Sequence, residues 1–238
     1  MIEVAVQDYP DRDTLARGLA ALVADQLRAA HASKHHAPAG ARRRVTLAVP
    51  GGTTPGPFLR TLAATDLPWA EVDVLATDER QVPEFSERAN SRLIRETLLQ
   101  GPAAAARFVH FHALGARVEP LLHAIRTEVA AVLPIDVAVV GMGADMHAAS
   151  LFPGAPGLAE ALAPDAPPLV RVMPANQPEA RVTLSAAALR GASVIHVLIT
   201  GRDKRRALDD ALADGPLEAA PVRAILSAPC PVTVHYAD

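Results

Sequence analysis

The stretch Ile135-Asp136-Val137-Ala138-Val139-Val140 is an almost unbroken apolar run that stops on Gly141-Met142-Gly143. It is too short for a core helix and rich in β-branched residues, which marks a strand buried on both faces. Strands of that kind occur in parallel sheets, where crossover helices cover both sides. The rest of the chain fits this constraint. Further strands are predicted at Glu3–Val6, Val45–Val49, Val72–Thr77, Phe108–Phe111, Ser193–Thr200 and Val232–Tyr236. Helical patterns lie between them. Asp13 precedes the stripe Leu15, Leu19, Leu22, Val23 and Leu27, and further helices are expected over Pro55–Ala64, Asn90–Leu99, Val118–Val132 and Arg202–Leu212. His31–Gly40 is polar and reads as a surface loop, and the Pro/Ala-rich Pro153–Pro168 reads as an irregular loop or lid. The expectation is one α/β domain over residues 1–238, with a mostly parallel sheet and helices on both faces.

Composition narrows the function classes. The chain carries 26 acidic against 23 Lys and Arg residues, and aromatics make up only 3%. It has neither the basic surplus that neutralises a phosphate backbone nor the aromatic surface on which bases stack. No uncharged apolar run approaches the roughly 18 residues of a membrane span. Glu3 and Asp8 stand where a signal peptide would carry bases. The single cysteine, Cys230, excludes an intramolecular disulfide and is expected to be inert. These features predict a cytoplasmic protein with no nucleic-acid or membrane partner.

Ligands of open parallel sheets bind beyond the carboxyl ends of the strands. The residues after each strand are therefore the candidates. Pro50-Gly51-Gly52-Thr53-Thr54-Pro55 offers two flexible residues, two hydroxyls and a helix start; it is either a phosphate cradle or a tight turn with a threonine cap. Asp78-Glu79-Arg80 puts three charges at a buried strand's end, where they must be paired or used. Gly143-Ala144-Asp145-Met146-His147 places an acid and a histidine two apart on a Gly-rich turn, and histidine is the side chain suited to proton transfer near neutral pH. Gly201-Arg202-Asp203-Lys204 sets a lysine in the first turn of a helix, where an anion would explain it.

The run Gly141–Gly154 resembles the signature of the 6-phosphogluconolactonase family, Gly-Met-Gly-x-Asp-Gly-His-x-Ala-Ser-Leu-Phe-Pro-Gly. Pro50–Pro55, Asp78-Glu79-Arg80-x-Val82-Pro83 with Asn90, Arg181-Val182-Thr183-Leu184-Ser185, and Gly201-x-x-Lys204 resemble further family motifs, in order, over roughly residues 45 to 212. The resemblance implies hydrolysis of 6-phospho-D-glucono-1,5-lactone. It also implies a Rossmann-like fold of the sugar-phosphate isomerase and CoA-transferase type, no metal or organic cofactor, and a monomer or homodimer. His147, Asp145 and Arg80 are the expected catalytic residues. Gly51, Gly52, Thr53, Thr54, Asp78, Gly143, Arg181 and Lys204 are the expected substrate contacts. Asp145 either orients His147 or binds a sugar hydroxyl.

Three positions depart from the family pattern: Pro50 replaces Ser, Ala89 replaces the Ser before Asn90, and Met146 replaces the Gly between Asp145 and His147. If position 146 needs φ > 0, a Met there costs about 1 kcal/mol or more. Met146 alone favours a sugar-phosphate-binding protein without turnover. A deaminase on the same fold is disfavoured because Ala149–Pro153 contains no acid, and the dinucleotide fingerprint falls one Gly short. His110 and His112, two apart on a strand, lack an evident third metal ligand. His35, His36 and His196 read as structural, and Arg42-Arg43-Arg44 as a solvated face.

Overall fold

The computed structural model describes residues 2–35, 43–112, 118–175 and 177–238. Seven strands form one parallel sheet: β1 (Ala5–Asp8), β2 (Val45–Val49), β3 (Val72–Ala76), β5 (Arg107–Val109), β6 (Val137–Gly141), β9 (Val194–Thr200) and β10 (Val232–Ala237), in the spatial order β1-β10-β9-β6-β2-β3-β5. Every residue of β2 and β3 is buried, and only the last of β6 is not, as continuous apolar runs require. Among the described residues, eight α-helices connect the strands: α1 (Arg12–His35), α2 (Gly56–Ala63), α3 (Asn90–Thr97), α4 (Val118–Val132), α5 (Leu158–Leu162), α6 (Ala186–Arg190), α7 (Arg202–Leu212) and α8 (Val222–Leu226). From β2 the chain runs outward through β3 and β5. From β6 it runs the other way through β9 and β10. The β2/β6 pair is therefore the topological switch point, and a crevice opens beyond its carboxyl ends.

A second, antiparallel sheet was not anticipated. It consists of β4 (Asp78–Arg80), β8 (Arg181–Leu184) and β7 (Leu169–Val172), in the order β4-β8-β7. Three charged residues have no strand period of their own. β4 exists because β8 supplies its hydrogen bonds, pairing Asp78 with Thr183 and Arg80 with Arg181.

Several local expectations change. β1 begins two residues later than expected and lies mostly exposed at the sheet edge. α1 continues through His35, into the segment read as a loop; residues 36–40 lie outside the described residues. Asp11 caps it, accepting from the Thr14 N–H at 2.6 Å. Leu22 falls off the buried stripe and is exposed. β5 ends at Val109, so His110 and His112 are not on a strand, and no group of three metal-ligating side chains occurs among the described residues. Within Pro153–Pro168, Leu158 and Ala161 of α5 are buried with Val170 and Val172 of β7, so that part is packed structure. Arg43 is exposed, as a solvated face requires, whereas Arg44 is half-buried. Arg44 ion-pairs the buried Asp73 at 2.5 Å and Arg43 caps the Leu133 carbonyl; Arg42 lies outside the described residues.

Candidate active site

A cleft of about 290 Å³ lies beyond the β2/β6 carboxyl ends. Five segments contribute the expected residues. The β2–α2 loop contributes Gly51, Gly52, Thr53 and Thr54; β4 contributes Asp78 and Arg80; the turn after β6 contributes Gly143 and His147; and β8 and α7 contribute Arg181 and Lys204. Ten of the eleven expected site residues thus share one cavity. Asp145 is not in the lining, but it contacts His147.

His147 is held from several sides. Its Nδ1 is hydrogen-bonded to Asp145 Oδ1, its backbone N–H donates to the same oxygen at 3.3 Å, and its ring lies 4.3 Å from that of Phe152. Burial works to raise the Asp145 pKa, but the bond and charge of His147 outweigh it and the carboxyl sits below its ordinary value. An ionised Asp145 accepts from Nδ1–H. Neutral His147 then carries its lone pair on Nε2, the arrangement a general base requires. Gly143 makes this possible: a Cβ there would overlap the imidazole and the Asp145 carboxylate. Its contribution is clearance for the pair. The turn is closed by Gly143 N–H to the His147 carbonyl and Met146 N–H to the Gly143 carbonyl, both 3.0 Å. Met146 adopts φ 64° and Ala149 φ 50°, left-handed backbone that favours glycine.

The cationic side is built by the small sheet. Arg80 and Arg181 are cross-strand partners. Arg181 is 4% exposed and Arg80 half-buried, and the Nε of each has no hydrogen-bond partner. Arg80 Nη1 donates to the Arg88 carbonyl at 2.7 Å, and Arg181 Nη2 to Gln177 Oε1 at 3.0 Å. Burial lowers the Arg181 pKa, and nearby Arg80 lowers it further against the pull of Asp78. Burial likewise lowers Lys204, with Arg12 acting in the same direction. One buried and two half-buried cations lining one cleft are what an anionic ligand would stabilise.

Two residues of the charged triplet serve the framework. Glu79 receives the backbone N–H of Asn90, Ser91 and Arg80, each at 2.7 Å, so it caps α3 where Ala89 has no side chain to do so. Burial raises its pKa despite those bonds. Asp78 touches the cleft, but its oxygens are engaged: Oδ2 by Ser150 Oγ–H at 2.5 Å, Oδ1 by Asn90 Nδ2 at 3.3 Å. Asp78 therefore lines the cleft where a substrate contact is expected and is also tied to the framework through both oxygens. Gly51 cannot carry a Cβ because the Asn90 amide occupies that space. The α2 N-terminus has no side-chain cap, so the threonine-cap alternative is not realised. Gln177, Phe152 and Ser150 were not singled out from sequence. Gln177 sits in an aperiodic Pro/Ala stretch with no local signal, whereas Phe152 and Ser150 lay inside the signature run.

A doubly wound parallel sheet with a histidine–carboxylate pair and a cationic wall at its switch point has the architecture of an α/β enzyme. The chain belongs to the glucosamine-6-phosphate isomerase/6-phosphogluconolactonase family, whose model matches residues 10–233. A 6-phosphogluconolactonase from Mesorhizobium japonicum is 42% identical over 235 residues, covering 96% of this chain and 93% of the relative. One from Pseudomonas aeruginosa is 39% identical over 241 residues, covering 98% and 94%. The crystal structure of a 6-phosphogluconolactonase from Shewanella baltica superposes with a TM-score of 0.93 at 30% identity, covering 100% of both chains. The expected Rossmann-like fold is the fold of these proteins. No described helix is long and apolar enough to cross a membrane.

Proposed function

We propose that this chain, acting as a single cytoplasmic domain over residues 1–238, hydrolyses 6-phospho-D-glucono-1,5-lactone to 6-phospho-D-gluconate in the oxidative pentose phosphate pathway. The observation that carries the reading is the Asp145–His147 pair sharing one cleft with the buried Arg181 and the half-buried Arg80. Arg181 and Lys204 hold the phosphate together with Thr53, Thr54 and the Gly51 and Gly52 amides. His147 Nε2 takes a proton from water as its oxygen attacks C1. The C1 oxyanion draws on Arg80 or a loop amide. The carbonyl reforms, the C1–O5 bond breaks, and the imidazolium returns its proton to the departing ring oxygen. Asp145 keeps the imidazole in the tautomer that can accept.

Strain at Met146 favours the second reading, a sugar-phosphate binder without turnover. The test is hydrolysis of freshly generated lactone above its spontaneous rate, with wild type and His147→Ala side by side. Turnover that falls about 10²–10⁴-fold in the variant supports the proposal. A folded wild type that binds 6-phosphogluconate without accelerating hydrolysis supports the binder instead.

A further inference from the structure

We infer that Ser150 is a positioning residue that sets the general base against the phosphate clamp; the inference rests on the proposed lactonase reading. His147 rides on a turn from the large parallel sheet, whereas Arg80 and Arg181 belong to the small antiparallel one. The sheets themselves are continuous through Thr77, between β3 and β4, but turnover also needs the water-activating nitrogen at a fixed separation from the phosphate anchor, so the turn that carries His147 must be tied to the small sheet.

Ser150 makes that tie. It is fully buried, three residues past His147. Its Oγ–H donates to Asp78 Oδ2 at 2.5 Å, and its N–H donates to Thr183 Oγ1 at 3.1 Å. Asp78 and Thr183 are cross-strand partners in β4 and β8. The next same-face pair along that ladder is Arg80 and Arg181. Ser150 is therefore bonded to both members of one rung, and the two guanidinium residues form the next rung on the same face, with Glu79 and Val182 between. Asp78 is anchored in turn by Asn90, which donates to its carbonyl at 2.8 Å.

The turn needs such an anchor. Two non-glycine residues in left-handed backbone, Met146 and Ala149, flank His147 and Ala148, and conformations of that kind persist only where the surroundings hold them. On the Met146 side the hold is its carbonyl, which accepts from the Val222 N–H at 3.0 Å. On the Ala149 side it is Ser150. Without the hydroxyl, the turn loses its tie to β4 and Asp78 keeps a buried oxygen with no donor.

The test compares Ser150→Ala, Asp78→Asn and the double variant for kcat on the lactone and for 6-phosphogluconate affinity by calorimetry. Ser150→Ala is expected to lower kcat about 10- to 100-fold, the scale of an ångström-level misplacement, with product affinity within about twofold. The double variant is expected to fall no further than the weaker single variant. Unchanged kcat in Ser150→Ala, equal losses in kcat and affinity, or losses that multiply would each overturn the inference. If Ser150→Ala does not fold, Thr183→Val removes the second tie; unchanged kcat there overturns it equally. The amide resonances of residues 143–149 supply a readout that needs no turnover. They shift in Ser150→Ala if the hydroxyl sets the turn and stay in place if it does not. A wild type without lactone turnover would sink the functional reading while leaving that measurement decisive.

Discussion

Gly143 lies against the imidazole of His147 so closely that a Cβ at position 143 would overlap ring atoms Cε1 and Nδ1. Gly143→Ala must therefore push the ring away from Asp145 or shift the turn. The expected outcome is a loss of about 10²-fold in kcat, with the sheet intact, since a base displaced by an ångström loses that much. Steady-state kinetics beside a thermal melt check this. Wild-type kcat in a folded variant would show that the contact does not constrain the base.

Arg181 and Lys204 are depressed in pKa first by burial and then by a neighbouring cation, Arg80 and Arg12 respectively. A phosphate dianion among them reverses that penalty. Arg181→Ala is expected to raise KM about 10- to 100-fold, the value of one or two charge-assisted hydrogen bonds, while kcat moves little. Arg181→Lys should recover only part of the loss because an ammonium has no planar fork. A KM equal to that of wild type would remove Arg181 from the phosphate site.

His196 and His235 form a buried relay away from the cleft. Tyr9 Oη–H donates to His235 Nδ1 at 3.0 Å; His235 Nε2–H donates to His196 Nδ1 at 2.9 Å; and His196 Nε2–H donates to Gln26 Oε1 at 2.7 Å. Gln26 Oε1 can only accept, so His196 Nε2 carries the hydrogen, and with both rings neutral the remaining donors run in the order given. Burial, reinforced by the neighbouring His235, brings His196 down to about 3, and burial brings His235 to about 4. In the unfolded chain both titrate near pH 6.5. Below that value the unfolded state binds protons that the folded state refuses. Stability is thus full above about pH 6.5 and falls toward pH 4, with a slope approaching two protons. Urea unfolding at intervals from pH 7.5 to 5 tests this, and a flat profile would contradict the relay.

Ala149 and Met146 both occupy left-handed backbone, at φ 50° and 64°. Relief of that strain is worth about 1 kcal/mol at a non-glycine residue, against which glycine loosens the unfolded chain. Ala149→Gly forfeits only a methyl group and is expected to gain up to about 1 kcal/mol. Met146→Gly also gives up a side chain packed on the core and should gain less or lose. Urea midpoints of the two variants check the order, and a larger gain at 146 than at 149 would reverse it.

The elements that were legible from sequence are those whose signal is local. β2, α4 and α7 fall where the apolar period places them, because burial on two faces or on one helical stripe leaves its pattern in consecutive residues. The strand-end motifs were legible for the same reason, and the sheet topology brings them to one edge. Tertiary structure decided the rest. β4 is three charged residues that become a strand only against β8. The Ser150–Asp78 bond joins residues 72 apart, and the His196–Gln26 bond joins residues 170 apart. Glu79 caps a helix that begins eleven residues later. No period or spacing records such pairs, because a hydrogen bond between distant segments depends on where the fold delivers each atom. Residue identity marked the groups able to do chemistry. Whether each became base, clamp, cap or anchor depended on burial and on which partner occupied its hydrogen bonds.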